Sequence, residues 1–490
     1  MNLCTTDNNC GVAFNDLGEN GAVPKKSDYD NLSKIANTSV EELTKNNPSL
    51  LIFPQVLGLH DDGIGEEPIF NLHGNPERLG SVKLKTDNLM GFIGIEDTQL
   101  KISSRFSKQD RNDHFMHYML QKVFSINLLD YKYSSGDGGL DLLMFIFPRL
   151  LKKALAQGIF RQYQTFWRND ANVKGSIDVS RHIRENIPFG GKVSYNSRER
   201  TFDNPLTELV RHTIECIKTK AFGKDLLNAD EEIKECVREI LNATQDYDIH
   251  EREKVIAQNL KPIAHPYYTA YKPLQKICLS ILRHKKMSYG KSNNKAYGIL
   301  FDGAWLWEEY LATVLVPAGF KHPQNKKGTG AIKVYDGNPR YPDFYKGNQI
   351  AKSESNAESL LELLQSAESN FVLDAKYKHL DNHKPDSDEI TASFSRDDLH
   401  QLITYMHIMP AKIGGLIYPY DKNDKQNSTE IVVSTKKTLY GYGGIVATYG
   451  VPIPVVNSYK EFNDVMKPIE KRIANFQMEL NQYSLLYADG

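Results

Sequence analysis

Cysteine is scarce in this sequence. The five present among 490 residues are Cys4, Cys10, Cys216, Cys236 and Cys278. Few, odd in number and scattered, they exclude a disulfide framework and offer no spacing suited to a zinc site. No apolar run approaches the roughly 20 residues that cross a bilayer, and no basic-then-apolar leader opens the chain. The cytoplasm is the expected location, with no membrane partner. A phosphate-binding loop is also missing. Gly290-Lys291-Ser292 supplies the closing residues of one, but Lys285 stands where its first glycine belongs. Nor is there an excess of charge of one sign: 60 Lys and Arg against 61 Asp and Glu leave a formal net charge of −1. A protein gripping nucleic acid over its whole surface would be more basic. Any such contact therefore needs a local basic surface, or a partner that supplies most of the grip.

What is there is ordinary for a soluble protein: 40% hydrophobic and 25% charged residues, in a chain long enough for two to four domains. Residues 1–48 are polar, with short helices expected after Ser27 and Ser39. Residues 50–54 read as a buried strand. Residues 89–95 and 100–106 read as a hairpin turning at Glu96-Asp97, the second arm alternating apolar and polar. Helices are expected over 113–125 and 140–157, the latter ending at Gly158.

The character changes over 159–205. Residues 163–167 are aromatic and strand-like. Residues 173–179 and 192–198 resemble two arms of a protruding ribbon with Pro188-Phe189-Gly190-Gly191 at its tip. The region is dense in Arg161, Arg168, Lys174, Arg181, Arg184, Lys192, Arg198 and Arg200. Such a run is either a solvated face or a surface for docking or nucleic acid. Asp203-Asn204-Pro205 then starts a helical region. Polar residues 285–298 mark a boundary. The expected division is 1–75, an accessory region; 76–290, α+β and helical with the ribbon; and 291–490, a catalytic domain. The expected fold class is α/β, mixed α+β overall.

The chain is organised around residues 341–378. They open with Tyr341-Pro342-Asp343-Phe344-Tyr345 and close with Phe371-Val372-Leu373-Asp374-Ala375-Lys376-Tyr377-Lys378. Residues two apart on a strand share a face, so Asp374 and Lys376 project together and Ala375 points away. With Asp343 on a neighbouring strand, two carboxylates and an ammonium converge. Two carboxylates are hard oxygen ligands of the kind Mg²⁺ takes, waters completing its shell. A metal there activates water and offsets phosphate charge. Decoys with half of the pattern exist at Asp130-Tyr131-Lys132, Glu232-Ile233-Lys234 and Pro385-Asp386. None has both halves in strand context. The plain alternative is an ion pair on a strand edge.

Upstream, residues 305–315 have a helical apolar period. It puts Glu308 at the stripe's edge, able to reach a site, and Glu309 nearly opposite, facing water. Residues 351–370 read as an amphipathic helix inserted between the two motif strands. Ser395-Arg396-Asp397-Asp398 resembles a helix cap, and the helix runs to about Met409. Leu399, Leu402, Ile403 and Met406 make its buried face. Asp398, Gln401 and Tyr405 share another, either solvated or aimed at metal-bound water or a phosphate. His400 and His407 are expected on the surface.

The ordered set Glu308, Pro342-Asp343, Asp374-Ala375-Lys376 and Gln401-x-x-x-Tyr405 resembles the PD-(D/E)xK nuclease superfamily. The longer resemblance is to McrC-like nuclease subunits of McrBC-type (5-methylcytosine) restriction systems and their LlaJI-like relatives. It rests on Trp307-Glu308-Glu309-Tyr310-Leu311, Leu373 to Lys378 and Asp398 to Tyr405. Gly91-Phe92-Ile93-Gly94, Leu100-Lys101-Ile102 and Lys174-Gly175-Ser176-Ile177-Asp178 are similar too. It spans roughly residues 90–480; residues 1–75 and 351–370 depart from the family's simplest pattern.

The resemblance implies a restriction-endonuclease-like domain with a central mixed sheet, and a Mg²⁺-dependent endodeoxyribonuclease, with Mn²⁺ as an alternative cofactor. It implies Asp343, Asp374, the Ala375 carbonyl and Glu308 around the metal, Lys376 positioning water, and Gln401 and Tyr405 in support. It also implies two partners, double-stranded DNA and an McrB-like AAA+ GTPase ring entered by an N-terminal projection, GTP being bound only through that ring. The alternatives are a non-cutting activator of the ring, and LlaJI-like cutting of unmodified DNA rather than the favoured modified DNA.

Overall fold

Ala296–Asp302 is buried at all seven positions. A strand with no polar alternation must be covered on both faces, which suits the middle of a sheet. The computed structural model describes residues 1–57, 59, 65–107, 113–124, 138–220, 222–228, 230–287, 295–325, 328–333, 339–347, 370–382, 391–392, 395–420, 429–441 and 444–485. In it this strand is antiparallel to Leu89–Ile95 and parallel to Leu50–Phe53. The hairpin of Leu89–Ile95 with Thr98–Ser103 and the parallel strand Asn2–Thr6 complete a five-stranded sheet. The chain is mixed α/β and divides into two units, Met1–Tyr133 with Asn293–Gly490, and Ser134–Ser292. Three consecutive segments were expected. Instead, the strand just past the polar boundary returns to the N-terminal sheet, so residues 1–75 share a unit with the motif residues.

The second five-stranded sheet of this unit has the order Phe344–Lys346, Phe371–Ala375, Ile413–Tyr420, Ile445–Pro452, Val432–Thr438. Phe344–Lys346 runs antiparallel to Phe371–Ala375, with Phe344 opposite Leu373. The next two strands are parallel to Phe371–Ala375, and Val432–Thr438 is an antiparallel edge. Phe371, Val372 and Leu373 are fully buried. Gly415 lets the strands close up: a Cβ there would meet Tyr449 Cε2 at 2.3 Å and Leu373 Cδ2 at 2.8 Å. Helix Gly303–Leu315 leaves the N-terminal sheet directly, capped by Asp302, whose carboxylate accepts the Ala304 amide at 3.0 Å. Helix Arg396–Ile408 is capped by Ser395 and packs Leu402 and Met406 inward. The expected helix over 351–370 lies outside the described residues but for Asn370.

In unit Ser134–Ser292, helices Gly138–Leu155, Pro205–Lys218, Glu231–Ala243 and Tyr271–Met287 form the helical body. Asn204 caps the second, accepting the Leu206 and Thr207 amides, with Pro205 in the first turn. The ribbon differs from its expected form. Its arms are Gln162–Asp170 and Val193–Thr201, paired over nine residues. Of residues 173–179 only Ser176–Ile177 pair with the second arm. The reason is local: Asp178 accepts the Arg181 amide at 3.1 Å and caps a helix, Val179–Glu185, that ends the strand.

Candidate active site

The register that sets Phe344 opposite Leu373 brings Asp343, one residue out, to the level of Asp374. Asp374 is 1% exposed. Asp343 Oδ2 accepts the Ala375 amide at 2.6 Å, which ties the two motif strands where they leave the sheet. Asp374 and Lys376 meet on one side, as strand alternation requires: Lys376 Nζ lies 2.5 Å from Asp374 Oδ2. The Lys376 amide is held by the Ile417 carbonyl at 2.9 Å. Asp374 Oδ2 is buried, and among the described residues it takes no well-directed hydrogen bond; the Lys376 ammonium is its charged neighbour.

Electrostatics follow from burial. Loss of water, then the charges of Asp374 and Glu308, push the Asp343 carboxyl well above the usual range. Burial also raises Asp374, against the pull of Lys376. Burial alone would lower Lys376, but Asp374, Asp343 and Asp398 carry it above its ordinary value. Two neighbouring carboxylates that resist ionising together are what a bound divalent cation would relieve. Among the described residues no three His, Cys, Asp or Glu side chains form a ready-made metal-binding group. The two aspartates are hard oxygen donors, a type that fits Mg²⁺, an ion that keeps several of its waters.

The other expected residues surround this centre. A cavity of about 470 Å³ is lined by Glu308, Glu309, His322, Asp343, Gln401 and Tyr405 among others. Glu309 was expected to face water; it is half-buried like Glu308. Helix Gly303–Leu315 is covered nearly all round, so its apolar stripe does not separate an inner from an outer face. Tyr405 is also buried, at 6% exposure. Its hydroxyl accepts from Gln401 Nε2 at 3.0 Å and donates to the Tyr341 carbonyl at 3.4 Å. Lys376 Nζ reaches Gln401 Oε1 at 3.4 Å. His400 and His407 are exposed.

Two residues were not anticipated. His322 donates from Nδ1 to the Asp343 carbonyl at 2.8 Å, and its Nε2 lies 3.9 Å from Glu308 Oε1. Its ring stacks on Phe344 at 4.8 Å. No spacing in the sequence ties His322 to either acid. Tyr377, between Lys376 and Lys378, is buried on the opposite side, its hydroxyl 2.7 Å from Ser104 Oγ and its ring under Arg105 at 4.8 Å. Strand alternation would have pointed Tyr377 into the core.

Comparison with known proteins adds the following. A family model described as McrBC 5-methylcytosine restriction system component matches residues 84–419. No curated protein matches. A refined half-complex from a tetradecameric assembly of Thermococcus gammatolerans McrB AAA+ hexamers with bound McrC includes a chain 15% identical to this one. That alignment covers 96% of this chain and 100% of the other, with a TM-score of 0.48. A cryo-EM structure of the Thermococcus gammatolerans McrBC complex aligns at 14% identity over 65% of this chain and 88% of the other, with a TM-score of 0.31. The family model spans well over half of the sequence, and on that match the chain belongs to the McrBC family of restriction-system components.

Proposed function

We propose that this chain is the DNA-cutting subunit of a McrBC-type restriction system, hydrolysing phosphodiester bonds of double-stranded DNA with Mg²⁺. The observation that carries the reading is the aspartate pair, Asp343 half-buried and Asp374 buried, with Lys376 Nζ 2.5 Å from the second. Asp343, Asp374 and the Ala375 carbonyl would hold the ion, with Glu308 at the cavity wall. Bound there, Mg²⁺ supplies Lewis acidity toward the scissile phosphate and its attacking water. The chain's own residues do the rest. Lys376 places a positive charge where the attacking water and the phosphate oxygens must lie. Gln401 and Tyr405 offer polar groups at the same cavity, and the Tyr405 hydroxyl is braced by the Tyr341 carbonyl.

The reading includes an AAA+ GTPase partner, since the similar solved chain is described as bound to McrB AAA+ hexamers. The ribbon supports a docking role by exposing large apolar side chains: Trp167 is 72% exposed, Phe189 66% and Ile187 65%. Solvated surfaces rarely display such a set without a partner. GTP would act only through that partner. The test is cleavage of methylated and unmethylated plasmid by the purified complex with Mg²⁺ and GTP. Asp374→Ala is expected to abolish cutting while the variant folds and binds its partner. Undiminished cutting by that variant would overturn the reading and favour a non-cutting activator.

A further inference from the structure

Besides the Gln401 amide oxygen at 3.4 Å, Lys376 is held by two carboxylates. Asp374 Oδ2 lies 2.5 Å from its Nζ, and Asp398 Oδ1 lies 3.5 Å away on helix Arg396–Ile408. Asp398 is 7% exposed, unusual for a carboxylate in the first turn of a helix, where water is normally at hand. Its other oxygen, Oδ2, accepts from the Ser395 hydroxyl at 2.6 Å and from Lys378 Nζ. The four side chains therefore alternate in sign, Asp374, Lys376, Asp398, Lys378, across a strand end and a helix start. A capping aspartate needs neither lysine. The Asp398 amide is already satisfied by Ser395 Oγ at 3.2 Å.

We propose that Asp398, neutralised by Lys378, is a positioning residue that fixes the Lys376 ammonium over the aspartate pair. The inference rests on the nuclease reading and deepens it. The physical reason is competition. Any cation taken up by Asp374 competes with Lys376 for the same carboxylate oxygen, and a four-carbon side chain released on that side would swing away. Asp398 supplies a second anchor that survives this competition. Lys378 matters because an unpaired Asp398 would add a further negative charge to a site already crowded with them. One Asp398 oxygen is committed to Lys378 and Ser395, leaving the other for Lys376.

The experiment uses the full chain assembled with its partner. Asp398→Asn keeps size and polarity but removes the charge. The cleavage rate at saturating DNA should fall on the order of 10²-fold, as for a misplaced reacting group, with the KM for DNA and the melting temperature unchanged. Asp398→Glu should recover much of that loss. Ser395→Ala, which removes the helix cap and one hydrogen bond to Asp398 Oδ2 but leaves the Asp398 charge between Lys376 and Lys378, should lower the melting temperature and cost much less of the rate than Asp398→Asn. A wild-type rate in Asp398→Asn overturns the proposal. So does a loss that appears only in KM, or one that Ser395→Ala reproduces, since Asp398 would then be a DNA contact or a cap. The two readings fail separately. If Asp374→Ala and Lys376→Ala also cut at the wild-type rate, the nuclease reading falls; if both are inactive and Asp398→Asn is normal, only the positioning role falls.

Discussion

His322 and Asp343 are joined through the backbone: the imidazole Nδ1–H donates to the Asp343 carbonyl at 2.8 Å while the carboxylate of the same aspartate accepts the Ala375 amide at 2.6 Å. The aspartate is thus fixed at both ends, with Glu308 3.9 Å from the far ring nitrogen. His322→Ala leaves the part-buried Asp343 carbonyl without its imidazole donor, at a cost of about 1–3 kcal/mol, and loosens Asp343. Cleavage is expected to fall at least about tenfold. His322→Asn, whose amide nitrogen falls near the Nδ1 position, should restore most of the stability but not the neighbour to Glu308. Melting curves and cleavage rates of the two variants check this, and equal rates in both would show that Glu308 draws nothing from the histidine.

The sequence carried some of this arrangement openly and hid the rest. Asp374 and Lys376 share a side because a strand alternates, and that needs only two residues of context. The helix starts at Ser39, Asn204 and Ser395 were legible because a cap is a local hydrogen bond. Nothing local places Ala296–Asp302 in the N-terminal sheet, because its partners lie more than 200 residues away, at Leu89–Ile95 and Leu50–Phe53. An all-apolar run says that a strand is central but not in which sheet. Residues 163–167 read as a strand but not as a ribbon arm, because most positions of Gln162–Asp170 are exposed and no alternation marks a buried side. His322 was invisible because its main partner is a backbone carbonyl, which any residue at 343 would supply.

The ion pair of Arg105 with Asp7 gives a prediction with a definite pH dependence. Arg105 donates to Asp7 from its amide at 2.6 Å, from Nε at 3.0 Å and from a terminal nitrogen at 2.7 Å. Burial pushes the Asp7 carboxyl up to about 6, with Arg105 pulling the other way. A carboxyl held above its ordinary value of 3.8 binds its proton more tightly in the folded chain than in the unfolded one. Its contribution to stability is complete below about pH 4 and is lost as the pH rises through about 6. Arg105→Ala removes the counterion and raises this carboxyl further. The cost should be about 3–5 kcal/mol at pH 8 and smaller at pH 5, where Asp7 more readily takes a proton. Denaturant unfolding at the two pH values reads the difference. Since Arg105 also covers the Tyr377 ring, between Lys376 and Lys378, the variant should lose cleavage activity before it loses its fold.

The ribbon separates two roles that a basic sequence merges. Arg181 is not a free cation: it is 14% exposed at its side chain and donates to the carbonyls of Arg168 and Tyr195 at 2.9 and 2.8 Å. It holds helix Val179–Glu185 on the strands, so Arg181→Ala should lower the melting temperature of the unit and says little about docking. Arg184 is exposed, and so are Trp167 and Phe189. On the proposed docking role, the apolar side chains carry the affinity, since buried aromatics dominate protein interfaces at about 2 kcal/mol or more each. Trp167→Ala with Phe189→Ala should therefore weaken partner binding by roughly a hundredfold or more and lower stimulated GTP hydrolysis in the absence of DNA. Its melting curve should match the parent's. Arg184→Ala should change the salt dependence and the association rate more than the affinity. The competing role, a surface that holds DNA, predicts the reverse order. The aromatic pair would then leave GTP hydrolysis untouched, and Arg184→Ala would weaken DNA binding and lower its salt dependence. Measuring both variants by GTP hydrolysis without DNA and by DNA binding at two salt concentrations decides between the roles, and undiminished stimulation with the aromatic pair removed would rule out docking through this face.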